Sequence, residues 1–237
     1  MKIVSVNIEG TKHIPKIIAL VEREKPDVLF LQEVCEKSIE TFFKLMGGSF
    51  SFASMAFRDV VDNKIGVAVF SKLPTIYKQH VLKEADCTVI QYALATFKDR
   101  FLSQSYCAIE ALVTDDDGEV YRFYNTHLPV TEKGTTTDFQ LSAVETLLGV
   151  LAQKPDVILV GDSNAPRGGE AFSMISSVYN DNIPKHYTSS IDSVLHRAGP
   201  LERMVDVLFT SPEYKVENIT LISGVSDHCA VSAEVFR

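Results

Sequence analysis

The sequence has few cysteines and places them far apart. The four, at positions 35, 87, 107 and 229, show no Cys-x-x-Cys spacing and have no paired histidines beside them. Zinc-binding and thiol-redox motifs are therefore unsupported, and reduced, mostly buried thiols are expected. Long apolar runs are lacking too, since none approaches the roughly 20 residues that a membrane-spanning helix needs. We therefore expect no membrane span.

Positive charge is scarce. Lys and Arg number 23 against 31 Asp and Glu, which gives a formal net charge of −8. Strong nonspecific binding to duplex nucleic acid is disfavoured, because that affinity comes mainly from Lys and Arg releasing counterions. A nuclease is not excluded, because a few local cations and a bound metal can invert the field at a site.

Repeats, low-complexity tracts and dividing linkers are also lacking. With 237 residues, of which 46% are hydrophobic and 23% charged, the chain has ample material for a globular core. We expect one domain over 1–237. The opening, Met1–Val6, is short and strand-like rather than typical of a signal peptide, which predicts a cytoplasmic protein.

The most informative stretch is Asp156–Asn164. An apolar run closes on Gly161, as is typical of a strand buried on both faces just before its carboxyl end. Asp162 and Asn164 then point the same way if the chain is extended. A carboxylate that activates water and a carboxamide that binds an oxyanion together suit attack on a phosphate or acyl centre. The alternative is a simple turn, because Gly-Asp-Ser-Asn favours turns.

Hydrophobic periodicity predicts a β-α-β-α opening, a β-rich middle and a third helix followed by further strands. Helices are predicted over 12–24, from Ile39 to Met46, over 136–152 and over 170–177, with Gln140 outside the apolar stripe of the third helix. Residues 178–203 are irregular and polar, and we interpret them as a substrate loop rather than filler. Other predicted strands cover 2–7, 28–31, 50–57, 65–70, 75–82, 90–97, 105–114, 119–127, 204–210, 214–223 and 228–236.

Polar residues stand at the ends of several predicted strands. Each alone can be a solvated strand end or a satisfied histidine, but so many together favour a common site. Asp206, inside a further apolar strand, needs a partner to avoid a large burial penalty, and His228 can be that partner. The strand-end residues are Asn7, Glu33, His127, Asp162 with Asn164, and Asp227 with His228.

The residues of these motifs and their order along the chain resemble those of the endonuclease/exonuclease/phosphatase superfamily, which has the DNase I-like fold. Each motif alone is weak, but all six in the family's order form a strong signal over nearly the whole chain. The resemblance implies an α+β fold, a four-layer α/β/β/α sandwich of two mixed β-sheets flanked by helices. The matching segments are Ser5–Ile8, Leu31–Val34, Asn125–Leu128, Gly161–Asn164, Val205–Phe209 and Ser226–His228.

The resemblance also implies a hydrolase that cleaves phosphate esters by in-line attack of an activated water. The expected cofactor is a divalent metal, usually Mg²⁺, for which Mn²⁺ can substitute. Glu33 is the expected first ligand, with Asn7 beside it and Asp227 joining through a water. Hard oxygen donors of this kind suit Mg²⁺.

The remaining motif residues take catalytic roles by the same resemblance. Asp162 is expected to orient and activate the attacking water, and Asn164 to bind the phosphoryl oxygens. His228 is expected to hydrogen-bond the phosphate while Asp206 fixes its tautomer, which favours a charged imidazole. His127 is expected to contact the phosphate or to assist the leaving oxygen.

Family membership does not select the substrate. The acidic charge and short loops favour a compact phosphodiester, either a nucleic-acid end or a small diester, bound with the help of Arg167 and Arg197. A phosphomonoesterase acting on a lipid-head or sugar phosphate is the main alternative. An inactive binding module is the third hypothesis, and the complete polar set speaks against it. No obligate protein partner is evident.

Overall fold

The computed structural model describes residues 1–85 and 94–237. None of the helices in these ranges has the length and apolar character that crossing a membrane requires. The helices are α1 (Ile14–Glu24), α2 (Ile39–Met46), α3 (Phe97–Ser103), α4 (Asp138–Leu151) and α5 (Glu170–Ser176). The strands are β1 (Lys2–Gly10), β2 (Val28–Cys35), β3 (Ser49–Arg58), β4 (Asn63–Ser71), β5 (Thr75–Lys83), β6 (Tyr106–Thr114), β7 (Val120–His127), β8 (Ile158–Asp162), β9 (Asn180–Asp181), β10 (Asp206–Thr210), β11 (Lys215–Ile222) and β12 (Ala230–Phe236).

The strands form two mixed sheets. The first has the order β11-β12-β1-β2-β4-β3 and the second the order β5-β6-β7-β8-β10-β9. Strands β1 and β2 are parallel, as are β7 and β8, and the other neighbours are antiparallel. The first sheet packs under α1 and α2, whereas the core of the second includes α4 and α5. The predicted α+β, four-layer sandwich is therefore confirmed.

The alternation of side chains along β2 explains why the sheets stack. Phe30 points into the space between the sheets, where its ring centroid lies 5.2 Å from that of Phe123 on β7. Its neighbours Leu29 and Leu31 point the other way, into the core beneath the helices. A continuous apolar strand is thus buried on both faces, as its sequence predicts.

Two predictions about individual elements are wrong. Residues 90–93 of the candidate strand 90–97 lie outside the described residues. Residues 94–96 do not form a strand, and Phe97 begins helix α3. Thr96 caps this helix, because its hydroxyl accepts a 3.1 Å hydrogen bond from the backbone N–H of Asp99.

The second wrong prediction concerns Gln140 of helix α4. The sequence predicts it outside the apolar stripe of the helix, but it is fully buried. Two backbone carbonyls accept from its amide and make that burial tolerable.

The three cysteines in the described part of the chain, Cys35, Cys107 and Cys229, are buried and unbonded, as the sequence predicts. Burial raises the pKa of the Cys107 thiol to about 12, and that of the Cys229 thiol to about 12 as well, so both stay protonated at neutral pH. Cys87 lies outside the described ranges.

Candidate active site

Breaks in strand pairing aim two carboxylates of the first sheet into one cleft. The pairing of β1 with β2 shifts register over 7–10, and that of β2 with β4 shifts over 31–34. Glu9 and Glu33 lie in these breaks with left-handed φ angles of 49° and 54°. Such bulges re-aim side chains beside active sites. Both glutamates line a cleft of about 450 Å³.

The second sheet supplies its part of the site through a close approach of β7 and β8. Gly161 has a φ of 129°, and a Cβ atom there would lie 2.1 Å from the carbonyl oxygen of Thr126. Only glycine therefore allows the two strands to pair at this point. The pairing sets His127 opposite Asp162 in the parallel ladder.

One oxygen of Asp162 is the meeting point of side chains from both sheets. Asn7 Nδ2 donates to Asp162 Oδ2 at 3.0 Å. His127 Nε2 lies 3.6 Å from the same oxygen, and His228 Nε2 lies 3.8 Å from it. Asp162 is only 1% exposed, so these neighbours rather than bulk water set the environment of its carboxylate. The sequence predicted that these side chains share one site, but it did not predict the hydrogen bond from Asn7 to Asp162.

Asp206 and His228 form a buried pair. His228 Nδ1 lies 2.8 Å from Asp206 Oδ2, which is the pairing that the buried acid required. Burial opposes the charged form of His228, but the Asp206 and Asp162 carboxylates outweigh it and hold the pKa of the imidazole well above its ordinary value. A cationic ring whose second nitrogen faces the cleft is suited to an anionic phosphate.

Asn164 is held by three hydrogen bonds in a left-handed conformation with a φ of 50°. Its N–H donates to Asp162 Oδ1 at 2.8 Å, and its Nδ2 donates to the carbonyl of Leu128 at 2.9 Å. Gln140 Nε2 donates to the carbonyl of Asn164 at 2.9 Å. One N–H of the Asn164 carboxamide is thereby used within the protein, and its second remains for a ligand. Gln140 is a positioning residue that periodicity alone did not identify.

Glu33 is paired with Arg58, a residue the sequence analysis missed. Arg58 Nη1 lies 2.7 Å from Glu33 Oε2, and His127 Nε2 lies 3.9 Å from Glu33 Oε1. Burial alone would raise the pKa of the Glu33 carboxyl, but the charges of Arg58 and His127 lower it to about 2. Glu33 is therefore ionised at any physiological pH. Arg58 ends a strand that carries no recognised motif, so only the fold brings it to the cleft.

The donor set of the cleft fits a hard divalent cation. Besides Asp162, the carboxylates of Glu9, Glu33 and Asp227 line it together with the amide of Asn7. Burial, together with the carboxylates of Glu9 and Glu33, raises the pKa of Asp227 to about 6 although His228 opposes the shift. This crowding of acids is what a divalent cation relieves, and oxygen donors are those that Mg²⁺ prefers. Ligand atoms of Glu9, His13 and Asp227 lie within 4.8 Å of one another.

The two predicted substrate-binding arginines have different surroundings. Arg197 lines the cleft. Arg167 does not, because its guanidinium donates to the carbonyls of Ile183 and Tyr187, at 2.8 and 3.1 Å, and to Asp181 Oδ1 at 3.1 Å. The prediction that Arg167 contacts the substrate is thus corrected. Its guanidinium instead holds the 178–203 loop in place. That loop reaches the cleft through residues 191, 196–198, 201 and 203.

The sequence and the fold have recognised relatives. A family model described as "Endonuclease/Exonuclease/phosphatase family" matches residues 4–228. Among curated proteins no matching sequence was found. Solved structures do match this chain. Because their sequence identities to it are low, the similarity concerns the fold alone.

Three of these structures illustrate the likeness. A mannosyl-6-phosphatase of Bacteroides thetaiotaomicron VPI-5482 has a TM-score of 0.74 and 14% identity, with 100% of each chain covered. The human Nocturnin catalytic domain with bound sulfate has a TM-score of 0.70 and 17% identity, with 100% of this chain and 94% of that chain covered. D. rerio TDP2, complexed with a single-strand DNA product, has a TM-score of 0.69 and 15% identity, with 100% and 99% covered.

The sequence match and the geometry of the cleft lead to the same assignment. The motifs that the family model spans are the ones whose side chains converge around Asp162. The matched region, residues 4–228, includes every residue given above as lining the cleft, the last of which is His228. The chain therefore belongs to the endonuclease/exonuclease/phosphatase family, whose members hydrolyse phosphate esters.

Proposed function

We propose that this protein is a Mg²⁺-dependent phosphodiesterase, for which Mn²⁺ can substitute, that hydrolyses a nucleic-acid end or a small diester. The observation that carries the proposal is the convergence of Asn7, His127 and His228 on one oxygen of the buried Asp162. A carboxylate held in this way is suited to orient a water molecule and to take its proton. The complete polar set argues against an inactive binding module.

In the proposed reaction the water oxygen attacks phosphorus as the bond to the leaving oxygen breaks on the opposite side. Asp162 accepts the proton of the water, while the cationic His228 and the free N–H of Asn164 bind the non-bridging oxygens as charge develops. His127 contacts the phosphate or donates to the leaving oxygen. Glu33, Asp227 and Asn7 would hold the metal, which when bound supplies Lewis-acid stabilisation of the phosphoryl charge.

A diester rather than a monoester is favoured by the extent of the cleft. Its lining continues past the reaction centre along α3, residues 128–134 and residues 191–205. This leaves room beside the reaction centre for a second substituent on the phosphorus. Of the structural relatives, one is a mannosyl-6-phosphatase and one is in complex with a DNA product, so the relatives are compatible with both ester classes.

The test compares bis-p-nitrophenyl phosphate with p-nitrophenyl phosphate, in Mg²⁺, in Mn²⁺ and in chelator. The proposal predicts hydrolysis of the diester that disappears with chelator and with Glu33→Ala. Glu213→Ala, an exposed glutamate outside the cleft, is the matched control and is expected to keep wild-type turnover. Hydrolysis of the monoester alone would replace the proposal with a phosphomonoesterase, and metal-independent turnover would contradict the proposed chemistry.

A further inference from the structure

The cleft contains a group of cations that the proposed reaction does not use. Lys133 belongs to the 128–134 loop, and Arg197 and Arg203 belong to the 191–205 loop. All three line the cleft. Among the residues that the structure describes, the acids that line it are all in the reaction centre described above, namely Glu9, Glu33, Asp162 and Asp227. The cleft is therefore divided by charge into an acidic reaction centre and a basic wall.

The cations of this wall are not neutralised by any residue in the described part of the chain. Over residues 1–85 and 94–237, no carboxylate forms an ion pair with Lys133, Arg197 or Arg203. Arginines elsewhere are paired, as Arg122 is with Asp156 at 3.1 Å and Arg167 is with Asp181 at 2.9 Å. In a chain with a net charge of −8, three cations along one cleft reverse the local field and favour an anionic ligand.

The two loops meet where Gly134, the residue after Lys133, faces the side chain of Arg203. Gly134 has a φ of 71°, and a Cβ atom there would lie 2.7 Å from Pro166 Cγ and 3.6 Å from Arg203 Nε. The carbonyl of Arg203 accepts from the N–H of Ser190 at 3.0 Å, which fixes its backbone. The basic wall is thus built on an anchored backbone.

A buried hydroxyl in the same wall also lacks a partner. Thr131 is 4% exposed and lines the cleft, and among the described residues its Oγ1 has no hydrogen-bond partner. Buried polar atoms are nearly always satisfied, so each exception requires an explanation. A hydroxyl in the same cleft lining as these three cations can donate to the oxygen of a bound anion.

We propose that Lys133, Arg197, Arg203 and Thr131 form a subsite for a second phosphate group of the substrate. The inference rests on the proposed phosphodiesterase activity and narrows its substrate to a phosphate ester that carries a further phosphate. That phosphate lies one nucleotide along a strand or elsewhere on a small molecule. Both sources offer the same chemistry, a dianionic or monoanionic phosphate with several acceptor oxygens.

The direct test is equilibrium binding, which needs no turnover. Thymidine 3′,5′-bisphosphate and thymidine 5′-monophosphate are titrated calorimetrically into the wild type and into the double variant Lys133→Gln with Arg203→Gln. The wild type is expected to bind the bisphosphate at least about tenfold more tightly, which corresponds to about 1.4 kcal/mol. In the double variant the ratio of the two dissociation constants is expected to fall towards one.

The matched control is Lys72→Gln with Lys78→Gln, which removes the same charge at exposed positions outside the cleft. This control is expected to keep the wild-type ratio. A wild-type ratio near one, or a ratio that survives in the Lys133 and Arg203 double variant, overturns the subsite. A fall in the control as large as that in the double variant assigns the preference to overall charge and overturns it as well.

A kinetic comparison separates failure of the subsite from failure of the proposed function and identifies the source of the phosphate. The p-nitrophenyl ester of thymidine 5′-monophosphate is assayed with and without a 3′-phosphate, beside the p-nitrophenyl ester of glucose 6-phosphate with and without a 1-phosphate, so that all four substrates are diesters at the phosphorus that is attacked. Equal kcat/KM with and without the further phosphate in both pairs contradicts the subsite and leaves the phosphodiesterase intact. Absence of turnover in Mg²⁺ for all four contradicts the phosphodiesterase, while the binding ratio still decides the subsite. Preference for the phosphorylated nucleotide indicates a strand, and preference for the sugar bisphosphate indicates a small molecule.

Discussion

Asn7 of the first sheet donates a 3.0 Å hydrogen bond to Asp162 Oδ2 of the second, and thereby joins residues 155 positions apart in the chain. Asn7 Oδ1 accepts from the N–H of Glu9 at 3.1 Å, which fixes the orientation of the amide. The other oxygen of Asp162 accepts from the N–H of Asn164. The proposed base is therefore oriented from both sheets, and its direction depends on how the sheets stack.

Replacing Asn7 by alanine is expected to lower kcat for the diester by about 10²-fold, because the carboxylate of Asp162 loses the bond that orients it. The free energy of unfolding is expected to fall by about 1 kcal/mol. Steady-state kinetics and urea unfolding measure both. Asn180→Ala, on the exposed side of β9, is the control. A variant that keeps kcat at saturating metal would show that the hydrogen bond from Asn7 to Asp162 does not contribute to catalysis, and would leave Asn7 only its proposed role at the metal.

Gln140→Leu tests whether helix α4 positions the catalytic loop. The change leaves the carbonyls of Pro129 and Asn164 without their donor, which is expected to cost about 1–3 kcal/mol of unfolding free energy. Because Asn164 shifts with its carbonyl, kcat is also expected to fall while KM changes less. Gln153→Leu, exposed just beyond the end of the helix, controls for the change in side chain. Loss of stability with an unaltered kcat would restrict Gln140 to a structural role.

Arg167 and Arg197 are expected to respond differently to the same substitution. Arg167→Gln removes donors to the 178–203 loop, so we expect faster proteolytic cleavage within that loop and a loss of about 1–3 kcal/mol in unfolding free energy. Arg197→Gln is expected to keep the stability and to raise KM about tenfold, the scale of one charge-assisted hydrogen bond. Limited proteolysis and steady-state kinetics distinguish the two. The reverse pattern would restore the sequence-based assignment of Arg167.

The pH dependence of stability can be tested on a buried network outside the cleft. Glu110 pairs with Arg122 and lies 2.7 Å from His80 Nε2. Burial opposes its ionisation, but hydrogen bonds from His80 and Arg122 lower the pKa of Glu110 below its ordinary value. Stability from such a group is fully present above the unfolded pKa of about 4.3 and is lost as the pH falls through the folded pKa.

Urea unfolding of the wild type and of Glu110→Gln measures this contribution. At neutral pH the variant is expected to be less stable by about 1–3 kcal/mol. The difference is expected to shrink as the pH is lowered below the unfolded pKa of about 4.3 and through the lower folded pKa, where the wild-type carboxyl becomes protonated. A difference that stays constant over this interval would show that the charge of Glu110 contributes nothing.

Residues at strand ends were accessible to sequence analysis because the strand pattern and the motif order both point to them. Glu33 and Asp162 each follow a buried apolar run, and the stacking of two sheets brings such ends together. The pairing of Asp206 with His228 followed from the cost of burying an acid, and the structure contains it.

What the sequence did not reveal depends on contacts between distant segments. Arg58 reaches Glu33 only because β3 is paired beside β4, and no local pattern marks it. Gln140 looks like a surface residue until the carbonyls that it binds are known. Arg167 was assigned to the substrate from its charge, which cannot show that Asp181 and two carbonyls already occupy its donors.

The central claim is that Asp162 activates the attacking water, and the kcat of Asp162→Asn at saturating Mg²⁺ tests it most directly. Asparagine keeps the size of the side chain and can still accept from Asn7, but it cannot take a proton. The account predicts a fall in kcat of about 10²–10⁴-fold, with the unfolding transition checked in parallel. A folded variant whose kcat stays within about threefold of the wild type would contradict the account, since a general base contributes far more than that.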